Sequence, residues 1–74
     1  MFSKTEKTTL QVDGMTCAHC RKRVEDALRA VKGVKSAAVD LEAKTAEVVY
    51  HPDKTDPQQL AEAVNAAGYA ALVQ

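Results

Sequence analysis

The apolar residues of this chain change their spacing along the sequence, and the order of those changes limits the folds it can adopt. Apolar and polar residues alternate from Thr8 to Asp13, which predicts a strand with one buried face, and Gly14 ends that pattern. From Ala18 the apolar residues recur at helical spacing, and Gly33 is expected to stop the helix. The apolar face of this predicted helix consists of Cys20, Val24, Ala27, Leu28 and Val31.

The middle of the chain predicts a hairpin of two strands. Val34 to Leu41 and Thr45 to Tyr50 both alternate, and the segment Glu42 to Lys44 between them is typical of a turn. Pro52 follows closely and ends the second strand, because proline has no N–H to donate to a ladder. The residues expected on the inner face are Ala37, Val39, Leu41, Ala46, Val48 and Tyr50.

A second helix and a last strand are predicted after the hairpin. Asp56 is expected to cap the helix, with Pro57 at its first position. Gly68 ends the helix, and Tyr69 to Val73 is predicted to be a short strand. The apolar stripe of the second helix consists of Leu60, Ala63, Val64 and Ala67.

The resulting order, β-α-β-β-α-β, predicts an α+β fold of the ferredoxin-like type. In this fold two helices lie on one face of a four-stranded antiparallel sheet, so both apolar stripes cover the same surface. The 74 residues are expected to form a single domain, 1–74, with a folded part of about 8–73. A chain this short, with no Trp and one Phe, has little material for a buried cleft, so we expect a surface binding site and no enzyme.

The charge balance and the absence of long apolar runs narrow the class of protein further. Ten basic and ten acidic residues cancel, which argues against a nucleic-acid partner. The polar segment Met1 to Lys7 does not resemble a secretory leader, and no apolar run approaches the roughly 20 residues of a membrane span. The chain is therefore expected to be a cytoplasmic protein without membrane insertion.

The chemistry of the chain is concentrated in its two cysteines, Cys17 and Cys20, at the start of the first predicted helix. In a reducing compartment the pair should remain as thiols, which favours a metal or redox role. Thr16 is a candidate N-cap for the helix. The partial positive charge of the helix N-terminus and the basic run Arg21 to Arg23 both favour the thiolate form, which is the form that binds metal.

Two thiolates indicate a soft ion that accepts low coordination, and Cu(I) fits that description. A structural zinc site normally takes four protein ligands, and no second cysteine pair is present. We therefore predict Cys17 and Cys20 as the ligands of Cu(I). His19 is expected to point to solvent, and Met15 is expected to pack inward beneath the loop.

The segment Gly14-Met15-Thr16-Cys17-Ala18-His19-Cys20 resembles the metal-binding loop of the heavy-metal-associated domain family. The resemblance covers about residues 8–73. It implies a domain that binds Cu(I) through both cysteines and passes it to a copper-transporting P-type ATPase or its N-terminal metal-binding domains. It also implies that Met15 supports the loop, that Tyr69 lies near it, and that copper can join two copies into a homodimer.

Alternative functions follow from the same motif. The chain could be a metal-binding domain from a longer copper or mercury transporter or reductase. A zinc-binding relative is less favoured, because such members commonly carry an acidic residue where this chain has Thr16. A thiol-disulfide oxidoreductase also places C-x-x-C at a helix start, but here Ala18 and His19 stand where Gly-Pro is usual.

Overall fold

The computed structural model of the protein describes residues 4–73, which form four strands and two helices. In chain order these are β1 (Glu6–Asp13), α1 (Ala18–Arg29), β2 (Val34–Asp40), β3 (Thr45–Tyr50), α2 (Pro57–Ala66) and β4 (Ala70–Val73). The strands form one antiparallel sheet in the order β2-β3-β1-β4. The predicted ferredoxin-like fold is confirmed. The predicted limits 1–74 include residues 1–3 and 74, which lie outside the described residues.

The core lies between the sheet and the helices, as the two periodicities predict. Leu10 and Val12 on β1 and Val48 on β3 are fully buried. Val24 and Leu28 on α1 are fully buried as well, while the other predicted members of that stripe are only partly covered. On α2 the buried residues are Leu60, Ala61 and Val64, so Ala61 was missed and Ala63 and Ala67 are only partly buried.

Both signals at the ends of α2 are confirmed. A carboxylate oxygen of Asp56 accepts a hydrogen bond of 2.8 Å from the backbone N–H of Gln59, and Pro57 is the first helical residue. At the other end Ala67 is the C-cap, and Gly68 follows it with a φ of +104°. A glycine adopts this backbone conformation without the steric conflict that a Cβ would create.

The predicted end of α1 at Gly33 is wrong, since the helix ends at Arg29 with Ala30 as its C-cap. The N–H of Val31 donates to the carbonyl of Leu28 at 3.1 Å, a tighter turn than that of the helix. The chain turns early because β2 has to begin opposite Tyr50, the last residue of β3. Here the pairing of two strands determines where the helix stops.

Three strand ends also differ from prediction. β1 begins at Glu6, two residues before Thr8, because its exposed first residues continue the ladder opposite the end of β3. β2 ends at Asp40, whose carboxylate accepts from the N–H groups of Glu42 at 3.0 Å and Ala43 at 3.1 Å and so starts the turn one residue early. β4 begins at Ala70 rather than at the predicted Tyr69.

Two loops pack tightly at the end of the sheet where β2 begins. The N–H of His51 donates to the carbonyl of Gly33 at 2.7 Å. Gly33 has a φ of +103°, and a Cβ at this position would lie 2.7 Å from the Cβ of Lys54. The close approach of the two loops therefore depends on a residue without a side chain.

We expect Gly33→Ala to destabilise the protein more than Gly68→Ala. Both substitutions force a Cβ into the left-handed region, at a cost of about 1–2 kcal/mol. At Gly33 the new Cβ also meets Cβ of Lys54 at 2.7 Å, whereas at Gly68 no atom of the described residues lies within 4 Å of it. Overpacking of this kind adds about 1–3 kcal/mol. Urea unfolding of the two variants measures the difference, and equal losses in the free energy of unfolding would contradict the packing argument.

Candidate metal site

The loop that carries the cysteines is held from below by Met15. This side chain is 8% exposed and belongs to the core cluster, which confirms its predicted inward packing. Gly14 precedes it with a φ of +99°, and a Cβ there would lie 3.6 Å from Cδ1 of Tyr69. The loop thus lies between the core and the ring of Tyr69.

Cys17, and not the predicted Thr16, is the N-cap of α1. Its backbone is extended, its carbonyl accepts from the N–H of Cys20 at 3.0 Å, and no side chain caps the helix. The hydroxyl of Thr16 instead lies 3.9 Å from Sγ of Cys20. As a result Cys17 stands just outside the helix, and Cys20 lies in its first turn.

The structure brings the two predicted ligand side chains together. The Sγ atoms of Cys17 and Cys20 are 4.0 Å apart, and both residues are free thiols. Cys17 is exposed, and Cys20 is partly buried and packs against the core. Because metal–thiolate bonds are roughly 2.3 Å long, as for zinc, a single ion between these sulfurs could contact both.

No cluster of three or more His, Cys, Asp and Glu side chains suited to a metal occurs among residues 4–73. His19 is exposed, as expected. His51 follows the far end of β3, since Tyr50 pairs with the first residue of β1 while the cysteine loop follows the last. The described part of the chain therefore offers an ion the two sulfurs, with no third His, Cys, Asp or Glu side chain grouped with them.

Hydrogen bonds make Cys20 acidic. They lower the pKa of its thiol from 9.0 to about 6, chiefly through the backbone N–H of Thr16 and then the hydroxyl of Tyr69, while burial acts in the opposite direction. The pKa of Tyr69 is raised, because its phenol donates to Cys20 and is partly buried, and Arg23 partly offsets this. The sequence predicts a thiolate from the helix N-terminus and the basic run, and neither signal indicates the contribution of the Thr16 backbone.

We expect Tyr69→Phe to raise the pKa of Cys20 above about 6, because the substitution removes a hydrogen bond to the thiolate. The alkylation rate of Cys20 against pH, measured on metal-free protein carrying Cys17→Ser, reports this pKa. Alkylation slows as the pH falls through the pKa, so the variant should lose reactivity at a higher pH than its parent.

Tyr50→Phe is the matched control for this substitution. The hydroxyl of Tyr50 donates to Glu6 at 3.4 Å, at the far end of the sheet, so its loss should leave the alkylation profile unchanged. Identical profiles for Tyr69→Phe and Tyr50→Phe would show that Tyr69 does not act on the thiol.

A ferredoxin-like sheet that presents two thiols at the start of a helix defines a class of small metal-binding domains. The model of the heavy-metal-associated domain matches residues 9–70, and the chain belongs to this family. The family resemblance noted in the sequence is thereby confirmed.

Three relatives illustrate the range of proteins that this chain is similar to. A copper-exporting P-type ATPase of Staphylococcus aureus (strain JH9) is 38% identical over 69 residues; the match covers 93% of this chain and 9% of that ATPase. The crystal structure of oxidised MerP from Ralstonia metallidurans CH34 has a TM-score of 0.91 at 38% identity, covering 96% of this chain and 99% of that one. The CopZ metallochaperone has a TM-score of 0.87 at 37% identity, covering 90% and 100%.

The chain thus spans about 9% of the length of the curated ATPase that it matches, but all of the CopZ structure. Within residues 4–73, no helix is long and apolar enough to cross a membrane.

Proposed function

We propose that this chain binds one Cu(I) ion between Cys17 and Cys20 in the cytoplasm and passes it to a copper-transporting P-type ATPase. The observation that carries the proposal is the pair of free thiols, with Sγ atoms 4.0 Å apart, at the exposed start of α1. The function is binding and transfer of an unchanged ion, so it requires no catalytic group.

The ligand set favours Cu(I) over zinc. Two sulfurs, with no third His, Cys, Asp or Glu side chain grouped with them among the described residues, suit a soft ion of low coordination number. Zinc normally takes four protein ligands in structural sites. Thr16 stands directly before the first cysteine and supplies no carboxylate oxygen, which a harder ion would prefer. The similarity to a copper-exporting ATPase and to a metallochaperone supports the same choice.

The acidity of Cys20 assists loading of the ion. A ligand thiol has to lose its proton before it binds a metal, so metal and protons compete for the sulfur. With a pKa of about 6, Cys20 is mostly deprotonated at neutral pH, and protons compete weakly. The hydrogen bonds from Thr16 and Tyr69 therefore keep this sulfur in the thiolate form that binds the ion.

Transfer proceeds by exchange of thiolate ligands. A thiolate of the acceptor bonds to the ion from the exposed side, where Cys17 lies, and the ion is then bound by three sulfurs. One bond to this chain then breaks, and its electron pair stays on the departing thiolate. No oxidation or reduction takes place, and no third side-chain ligand of this chain has to be displaced.

The partner is an ATPase or its N-terminal metal-binding domain with an acidic docking surface. The side chains of Arg21, Lys22 and Arg23 are exposed directly beside the thiols. A basic surface of this kind steers an acidic partner toward the metal loop. The same exposure would let a thiol of a second copy contact the ion and so form a copper-bridged homodimer.

Native mass spectrometry of the reduced chain, titrated anaerobically with Cu(I) in the presence of Zn(II) and Hg(II), tests the proposal. We expect one retained copper per chain or a copper-bridged dimer. Cys17→Ser and Cys20→Ser should each fold and lose far more than the roughly 100-fold in affinity that loss of an outer-shell partner costs. A competing chelator measures this affinity.

His19→Ala is the matched control, because His19 is exposed between the two cysteines and should not change the affinity. Retention of copper by either serine variant would refute the ligand assignment. Preferential retention of zinc or mercury would refute the choice of ion.

We expect reversal of charge at Arg21, Lys22 and Arg23 to slow transfer to an acidic acceptor domain by about tenfold or more at low salt. The reversed chain should also lose the salt dependence of the rate. Stopped-flow measurement of transfer checks this. Reversal at Lys32, Lys35 and Lys54, three exposed lysines outside the first turn of α1, is the control because it changes the net charge by the same amount. An equal effect of both reversals would contradict a local docking surface.

A second candidate is a metal-binding domain of a copper-exporting ATPase itself. It is favoured by the match to a protein of which this chain spans only 9%. The size of the polypeptide that an antibody to residues 4–73 detects in cells distinguishes a free chaperone from such a domain.

A further inference from the structure

The sheet has two edges, and both are formed by strands with only one neighbour. In the order β2-β3-β1-β4, the edge strands are β2 and β4. An edge strand presents a row of backbone N–H and C=O groups that can pair with a strand of another molecule. The edge stays unpaired only if other groups of the protein contact or shield this row.

Two side chains of α1 contact the free groups of β2. The carboxylate of Glu25 accepts a hydrogen bond of 3.3 Å from the N–H of Val39. The guanidinium of Arg29 donates one of 3.3 Å to the carbonyl of Ala37. Glu25 and Arg29 are four residues apart on a helix and so lie on one face.

An added strand would form hydrogen bonds with these same two backbone groups, the N–H of Val39 and the C=O of Ala37. Backbone groups of a strand alternate in direction, so residues 37 and 39 present theirs on the same side. β3 occupies the other side of β2, with Ala38 opposite Glu47. A fifth strand would bring an acceptor and a donor to this edge. Glu25 already supplies the acceptor, and Arg29 already supplies the donor.

The beginning of β2 is protected in another way. The register of β2 against β3 shifts between Val34 and Ser36, so Lys35 is an extra residue in the ladder. Lys35 is exposed, and a charged residue at a bulge disfavours strand addition. The bulge at Lys35 and the α1 contacts at Ala37 and Val39 therefore lie one after the other along β2.

The opposite edge shows the same arrangement on a smaller scale. β4 has only four residues, and the N–H of Ala71 donates to the side-chain oxygen of Asn65 on α2 at 2.9 Å. Each helix therefore contributes polar side chains to the edge strand nearest to it.

We propose that Glu25 and Arg29 form an edge cap that prevents β2 from pairing with β2 of a second copy of this chain. Without the cap, two copies would join antiparallel edges through the free groups of Ala37 and Val39. This surface is separate from the metal loop, so the cap leaves copper-bridged contact at Cys17 unaffected.

The test compares wild-type protein with the double variant Glu25→Ala/Arg29→Ala, reduced and in the presence of a metal chelator. Lys22→Ala/Asp26→Ala is the matched control, since it removes an exposed basic and acidic pair four residues apart on the same helix with the same net charge change. Sedimentation velocity across a range of concentrations reports association. Hydrogen exchange of the Val39 amide reports the edge itself.

We expect the wild type and the control to remain monomeric with a protected Val39 amide. In the double variant at low concentration, this amide should exchange about tenfold faster, as for loss of one hydrogen bond to a charged group. At high concentration the double variant should dimerise, and Val39 should regain protection as the strand of the second copy covers it.

Two outcomes would overturn the proposal. One is a double variant that stays monomeric at every concentration while its Val39 amide exchanges fast. The other is unchanged protection of Val39 in the double variant at low concentration, which would show that Glu25 does not cap the edge. If the double variant does not fold, Glu25→Ala and Glu25→Gln replace it. Glu25→Gln keeps an acceptor oxygen and should retain protection, whereas equal exchange in both would refute the cap.

Discussion

The pairing of β1 with both of its neighbours is the constraint on which the site depends. β1 lies between β3 and β4, and its last residues pair with the start of β3 and the start of β4. This register brings the cysteine loop and Tyr69 to one end of the sheet. A shift of the register by one residue would turn Leu10 and Val12 out of the core and remove the surface against which Met15 and both helices pack.

The candidate site combines a buried base with one exposed and one partly buried thiol. Met15 is buried in the core, and Cys20 is fixed in the first turn of α1 and contacts that core. Cys17 stands outside the helix and is exposed. A held sulfur with a low pKa beside an accessible one suits a protein that binds an ion firmly and also gives it to a partner, because the partner can approach without unfolding the loop.

One surface of the protein is open to a partner, and another is protected against association. The helix start at Cys17, with its basic neighbours, is open to a partner. The edge of β2 is covered by side chains from the other end of the same helix, Glu25 and Arg29. α1 contributes to both surfaces, since the two thiols lie at its start and its last turns contact the sheet edge.

Much of the fold could be predicted because local sequence patterns specify it. The alternation of β3 from Thr45 to Tyr50 and the cap of α2 at Asp56 and Pro57 depend on neighbouring residues, and both were confirmed. The proximity of Cys17 and Cys20 also follows from their spacing at a helix start. These features require no knowledge of distant contacts.

Elements whose limits depend on distant partners were predicted less well. The end of α1 at Arg29 is determined by the pairing of Val34 with Tyr50, and the start of β1 at Glu6 by the length of β3. No local pattern contains that information. The sequence by itself therefore determined the order of elements, the family and the candidate thiols, because these are set by spacing along the chain. Only the tertiary structure decided that Tyr69 acidifies Cys20 and that α1 covers the edge of β2, because hydrogen bonds between distant residues exist only once the chain has folded.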